Sequence, residues 1–199
     1  MDRKICAVCC GTEREVSLNC PLHCPYLVAA HRYEEETLKT KPLANSKEMP
    51  FADVEFPPGL IQEHELLAVG ACATILKFAG QHPMIADADV LSALSALVET
   101  ARTRAAGIYY ERKPDDPLCR DLYAELATFL ADTRKREAEH AGYTAAKDSD
   151  IFHILVFLVR LATQRSNRRP RSKAFLGFLQ RQFPPIQEPA QEESRLIIP

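Results

Sequence analysis

Five of the seven cysteines fall within the first 24 residues, as Cys6-Ala-Val-Cys9-Cys10 and then Cys20-Pro-Leu-His23-Cys24. No other feature limits so strongly what this chain can fold into. A segment this short is too small to hold its shape by hydrophobic burial alone, so it needs a staple. The choice is between disulfides and a metal ion. Met1-Asp-Arg-Lys-Ile-Cys6 contains no apolar stretch of the signal-peptide kind. The expectation is therefore a cytoplasmic, reducing setting, where paired thiols take up metal more readily than they oxidise. Cys6 and Cys9, two residues apart and followed by Gly11, suit a turn whose N–H groups point at the sulfurs; Cys20 and Cys24 would complete a tetrahedral site.

Between the two pairs, Arg14-Glu-Val-Ser-Leu18 alternates polar and apolar residues, which predicts one arm of a short hairpin. Pro21 suits a first helical turn, and Cys24 to Glu36 continues as a helix. A knuckle, a hairpin and ligands from a helix's first turn resemble the treble-clef zinc modules. That resemblance covers about a fifth of the chain. It implies Cys6 and Cys9 in the knuckle and Cys20 and Cys24 at the helix turn, around a structural zinc. The second pair departs from the pattern, having three intervening residues where two are usual, so His23 stands as a substitute for Cys24. Cys10 is left over, read as a small buried residue or as a thiol that exchanges into the site. Four thiolates would equally accept an iron–sulfur cluster, which is the alternative cofactor.

The rest of the chain predicts a mainly α fold, a bundle of four to five helices. Residues 1–39 form the metal module and residues 40–59 a linker with four prolines, in which Phe51, Val54 and Phe56 still offer something to bury. Residues 60–183 make the bundle, and residues 184–199 a flexible tail. The first bundle helix starts at Leu60 and carries apolar residues on most faces, Leu66, Val69, Cys72 and Leu76 included, as a central helix would. A second begins near Asp87 or Asp89 and runs towards Gly107. A third starts at Asp116-Pro117 and ends by Gly142; a fourth is opened by Ser149 or Asp150 and stops before Pro170; a fifth spans 172–183. Neither long apolar stretch reaches the roughly 20 residues a bilayer crossing needs, so no membrane role is expected.

Charge is unevenly placed. Seven basic residues and no acidic one lie between Ile151 and Gln187, and with a total of −2 those seven leave −9 for the remainder. Arg165, Arg168, Arg169, Arg171 and Lys173 form the densest group. One reading is a polyanion-binding patch for nucleic acid. The other is a solvated basic face at a helix end, favoured because no aromatic residue lies between Arg160 and Lys173 on which a base could stack.

Catalytic chemistry is hard to assemble. Glu137 and His140 have the spacing used by di-iron bundles, yet the nearest second pair is Asp150 and His153. His64 and His153 sit among apolar residues and read as satisfied core or interface histidines. There is no nucleophile elbow and no glycine-rich phosphate loop. The expectation is a non-catalytic zinc-binding interaction or regulatory protein. The alternatives are a nucleic-acid-binding regulator acting through residues 160–181 and an iron-binding redox protein. A protein partner would be held by the metal module, the basic stretch or the apolar tip Leu196-Ile197-Ile198. The apolar first bundle helix also leaves room for a homodimer.

Overall fold

The computed structural model describes residues 5–39, 49–141 and 146–183. Among these the chain is mainly helical, with eight helices and no strand. They are α1 (Ala7–Glu13), α2 (Pro25–Lys39), α3 (Leu60–Glu63), α4 (Glu65–Gln81), α5 (Asp87–Ala105), α6 (Pro117–Ala141), α7 (Asp148–Arg165) and α8 (Ala174–Gln182). None is long and apolar enough to cross a membrane. The tail, with Leu196, Ile197 and Ile198, and the linker's first part lie outside the described residues.

The starts of the bundle helices follow local chemistry. Asp116 accepts from the Cys119 N–H at 3.1 Å, so α6 opens on a side-chain cap with Pro117 in the first helical position, where no N–H is wanted. At α5 and α7 the third residue of the helix reaches back: Asp89 accepts from the Ala86 N–H at 2.8 Å and Asp150 from the Lys147 N–H at 2.9 Å.

The core sits between α4, α5, α6 and α7, with α8 closing one end. The most extensive packing is between α5 and α7, and α6 rests on both α4 and α5. This corrects the expectation of a central first helix. Leu66 is 87% exposed, so α4 keeps one face in water; α4 and α7 each bury seven residues, and α5, packed on both α6 and α7, buries nine and holds the central place. The first bundle helix is also broken at His64, which separates α3 from α4. At Gly70 the ring of Phe129 approaches so closely that a Cβ there would lie 2.3 Å from its tip, which fixes how α6 crosses α4.

Residues 49–59 form a strap packed on the bundle. Phe51, Val54 and Phe56 lie against the core. Arg160 donates to the carbonyl oxygens of Pro50, Phe51 and Val54 and stacks its guanidinium over the Phe56 ring at 4.7 Å. Arg102 holds Asp53 at 3.0 Å. Three carbonyls converging on one guanidinium give the strap a fixed path without secondary structure.

Candidate functional site: the cysteine hook and its anchor

The N-terminal residues 5–24 form a hook. Cys6 is the N-cap of α1, and its sulfur accepts the Cys9 N–H at 3.3 Å. This is the turn chemistry expected of the first pair, continued into a helical turn. The N–H and thiol of Cys9 hold the Cys6 thiol below its ordinary value; Cys9 is raised, chiefly by its bond to Cys6. Both thiols are exposed. Cys10 is half-buried, with the Arg14 guanidinium 3.8 Å from its sulfur, and is therefore no buried core residue.

The hairpin arm expected at 14–18 is a turn. The N–H groups of Val16, Ser17 and Leu18 all reach the Glu13 carbonyl, at 3.1, 3.2 and 3.1 Å, and only an isolated bridge joins Arg14 to Leu18. Three amides satisfied by one carbonyl at a helix end leave no ladder to build. Pro21 precedes α2, which begins at Pro25. Cys20 is buried, and His23 and Cys24 lie where the chain turns into α2. Cys6 and Cys9 are thus brought together, but Cys20 and Cys24 do not join them. Among the described residues no three His, Cys, Asp or Glu side chains stand close enough to hold a metal ion.

What fixes the hook is a residue the sequence did not single out. Glu15 is fully buried and sits in the left-handed region, at φ 56°. Its carboxylate accepts from the Lys173 N–H at 2.5 Å and from Asn167 Nδ2 at 2.7 Å, and lies 3.0 Å from His31 Nε2 on α2. Its carbonyl accepts the Arg171 N–H at 2.8 Å, and Arg169 approaches its carboxylate at 3.8 Å. Burial alone pushes Glu15 up, but bonds from His31, Lys173 and Asn167 outweigh it and hold the carboxyl below the usual range. One acidic side chain thereby ties α1, α2 and the α7–α8 connection together. Asn19 adds a second tie, donating to the Pro83 carbonyl at 3.1 Å.

The same connection contains the basic group, and most of its cations are already engaged. Arg169 faces Glu15 and Glu34; Arg165 stacks over Phe178 at 4.3 Å; buried Lys173 donates to the Pro83 carbonyl at 2.6 Å. Burial pushes the Lys173 ammonium down, opposed by Cys20, Glu15 and Asp87. Arg181 pairs with Glu35 and Arg160 holds the strap. Arg168 and Arg171 remain exposed. Within this run, then, Arg169 and Arg181 meet acidic residues of the hook and α2, while Arg160, Arg165 and Lys173 are held by carbonyl oxygens or an aromatic ring.

The same region holds a second buried carboxylate. Asp87 accepts from the Ser172 hydroxyl at 2.6 Å, the Phe175 N–H at 3.1 Å and the Leu176 N–H at 3.3 Å. Expected to open its own helix, it caps α8 instead. Burial pushes its carboxyl up despite those donors.

The residues considered for a di-iron site are dispersed. Asp150 serves the start of α7 and faces His64 at 3.6 Å, while Glu137 and His140 lie on the last turns of α6. His153 packs edge-on to Phe56 and Phe152. It is a half-buried histidine packed on partly buried rings and not a satisfied one, because its Nδ1 is buried with no partner among the described residues. Cys72 and Cys119 are buried, and burial pushes each thiol up to about 11. Comparison with protein families, with curated proteins and with solved structures returns no match.

Proposed function

We propose that this chain works by binding, as a helical protein whose cysteine-rich hook takes up zinc and presents a contact surface to a protein partner. The observation that carries this reading is that α1 buries none of its residues while exposing Val8, beside exposed Ile5. A helix of seven residues is marginal in water, so something other than burial has to hold it. Thiolates of Cys6, Cys9, Cys20 and Cys24 on one zinc would supply that restraint, in a reducing compartment where they stay free. Taking up the ion on all four requires the two pairs to close on each other. Cys10 and His23 are the substitutes. Glu15 supports the reading differently, by tying the hook to the bundle whatever the cysteines bind. Exposed Tyr26 and Tyr33 on α2 extend the apolar surface a partner would cover.

The polyanion alternative rests on Arg168 and Arg171, since the other cations of that stretch have internal partners. The test is elemental analysis of the purified protein, with cobalt substitution read as sulfur-to-metal charge-transfer absorption. About one zinc per chain is expected, falling well below that in Cys20→Ser and Cys24→Ser. Metal far below one equivalent, with no charge-transfer band, would defeat the zinc reading. Visible absorption from iron after anaerobic purification would replace it with the cluster.

A further inference from the structure

The α5, α6 and α7 helices enclose a cleft of about 340 Å³, at the small end of the range for small-molecule sites. Its walls are apolar, with Leu97, Ala101, Leu130 and Ile151 among them, and its rim carries a few polar groups. The spacing explains this composition. Thr100 and Ala101 lie three and four residues after Leu97 on α5, and Arg104 lies four and three residues after them, so one helix face runs from an apolar interior to a cation at the mouth.

The charges of the cleft are not equally available. Asp148 is taken up by Arg134 at 2.6 Å. Glu111 accepts from the Tyr123 hydroxyl at 3.2 Å and pairs with Lys113 at 3.2 Å. Tyr123 in turn meets Thr100 at 3.2 Å, so those two hydroxyls are spent on each other and on Glu111. The arginines differ. Arg104 has no carboxylate partner among the described residues; its guanidinium lies over the Tyr109 ring at 5.5 Å. The Arg134 Nε is buried with no acceptor, although another nitrogen of the same group holds Asp148. A buried donor without an acceptor is unusual enough to require an explanation. Beside the mouth, beyond Gly107 at φ 78°, Ile108, Tyr109 and Tyr110 stand exposed.

We propose that this cleft binds a small organic anion, a monocarboxylate with an apolar body, whose head is received by Arg104 and Arg134 and whose body lies along the apolar walls beneath Tyr109. Both native carboxylates at the rim are neutralised by neighbours, so the surplus charge is positive. A guanidinium fork matches a carboxylate in geometry as well as sign. A polyanion is a poor occupant, because the interior offers no further cation to a second charge. The site is independent of the cysteine hook, which docks on the α7–α8 connection and the α4–α5 loop.

The test is calorimetric titration of the full chain with decanoate, with decanol as the uncharged counterpart. Saturable one-to-one binding of decanoate is expected, with decanol at least about tenfold weaker. Arg104→Gln should weaken decanoate by about tenfold or more, and Ala131→Trp, which fills the cleft from an exposed position on α6, should abolish binding. Arg32→Gln, an exposed cation on α2, should bind as the unaltered protein does. Far-ultraviolet dichroism checks that each variant is folded, and Arg104→Gln carries the test if Ala131→Trp is not. Absence of saturable binding at about 1 mM decanoate, equal affinity for decanol, or undiminished binding by Arg104→Gln would each overturn the proposal.

Discussion

Replacing Glu15 with alanine should release the hook while leaving the bundle folded. The substitution removes the acceptor of the buried Lys173 N–H and the partner of His31, which is 3% exposed. A buried polar group left without a partner costs about 1–3 kcal/mol, so the two together should destabilise the docked hook by about 2–6 kcal/mol. Asn167 contributes less, because it retains Glu34 at 3.2 Å. Backbone strain works in the opposite direction and is smaller. Glu15 is held at φ 56°, and a glycine there would recover about 1 kcal/mol, so Glu15→Gly should be less damaging than Glu15→Ala yet still clearly destabilising. Hydrogen exchange measured peptide by peptide separates the hook from the bundle. Amides in 7–36 should lose protection by about thirtyfold or more, at about 1.4 kcal/mol per tenfold, while those in 151–162 stay protected. The carboxyl also predicts a pH dependence. Its folded pKa lies below the ordinary 4.5, so its stabilisation is fully present above about pH 4.5 and is lost as pH falls through the folded value. Glu15→Gln should remove that acid-side loss. Unchanged protection across 7–36 in Glu15→Ala would refute the argument, since it would mean the hook is held by something else.

Two further substitutions probe the bundle. Gly70→Ala places a methyl 2.3 Å from the Phe129 ring and should lower stability by about 1–3 kcal/mol in urea unfolding; adding Phe129→Leu should return part of the loss, and additive effects would argue against the contact. Asp87→Ala strips the first turn of α8 of its acceptor and should destabilise by about 2–4 kcal/mol, with no loss disproving the cap. Because burial raises the Asp87 carboxyl above its ordinary 3.8, its ionisation should lower stability as pH rises from there through the folded value, a slope that Asp87→Asn should flatten.

The sequence was most legible where structure is local. Pro117 after Asp116 marks the start of α6, and apolar spacing places α5, α7 and α8 close to their observed spans, because a helix is specified by neighbours three and four residues apart. The cysteine turn was equally readable: Cys9 does point its N–H at the Cys6 sulfur. Less legible was anything settled by partners far along the chain. Glu15 gives no local sign of burial, since its neighbours Arg14 and Val16 read as a strand. The segment was misread because its amides turn back on Glu13. The cleft was missed for the same reason, being lined by residues as distant as Leu97, Arg134 and Leu155.

The amino-acid order by itself determined that this is a helical chain with a thiol-rich beginning and an uneven distribution of charge. All three properties are sums over neighbouring residues. Tertiary structure alone decided what those charges do. Lys173 and Arg169 read as solvated cations until the fold brings Glu15, Glu34 and the Pro83 carbonyl to them, and Asp87 reads as a cap for α5 until Ser172 and the start of α8 claim it. A buried charge has to find its partners, and those partners lie 85 residues away for Asp87 and 158 for Glu15, beyond the reach of any local pattern.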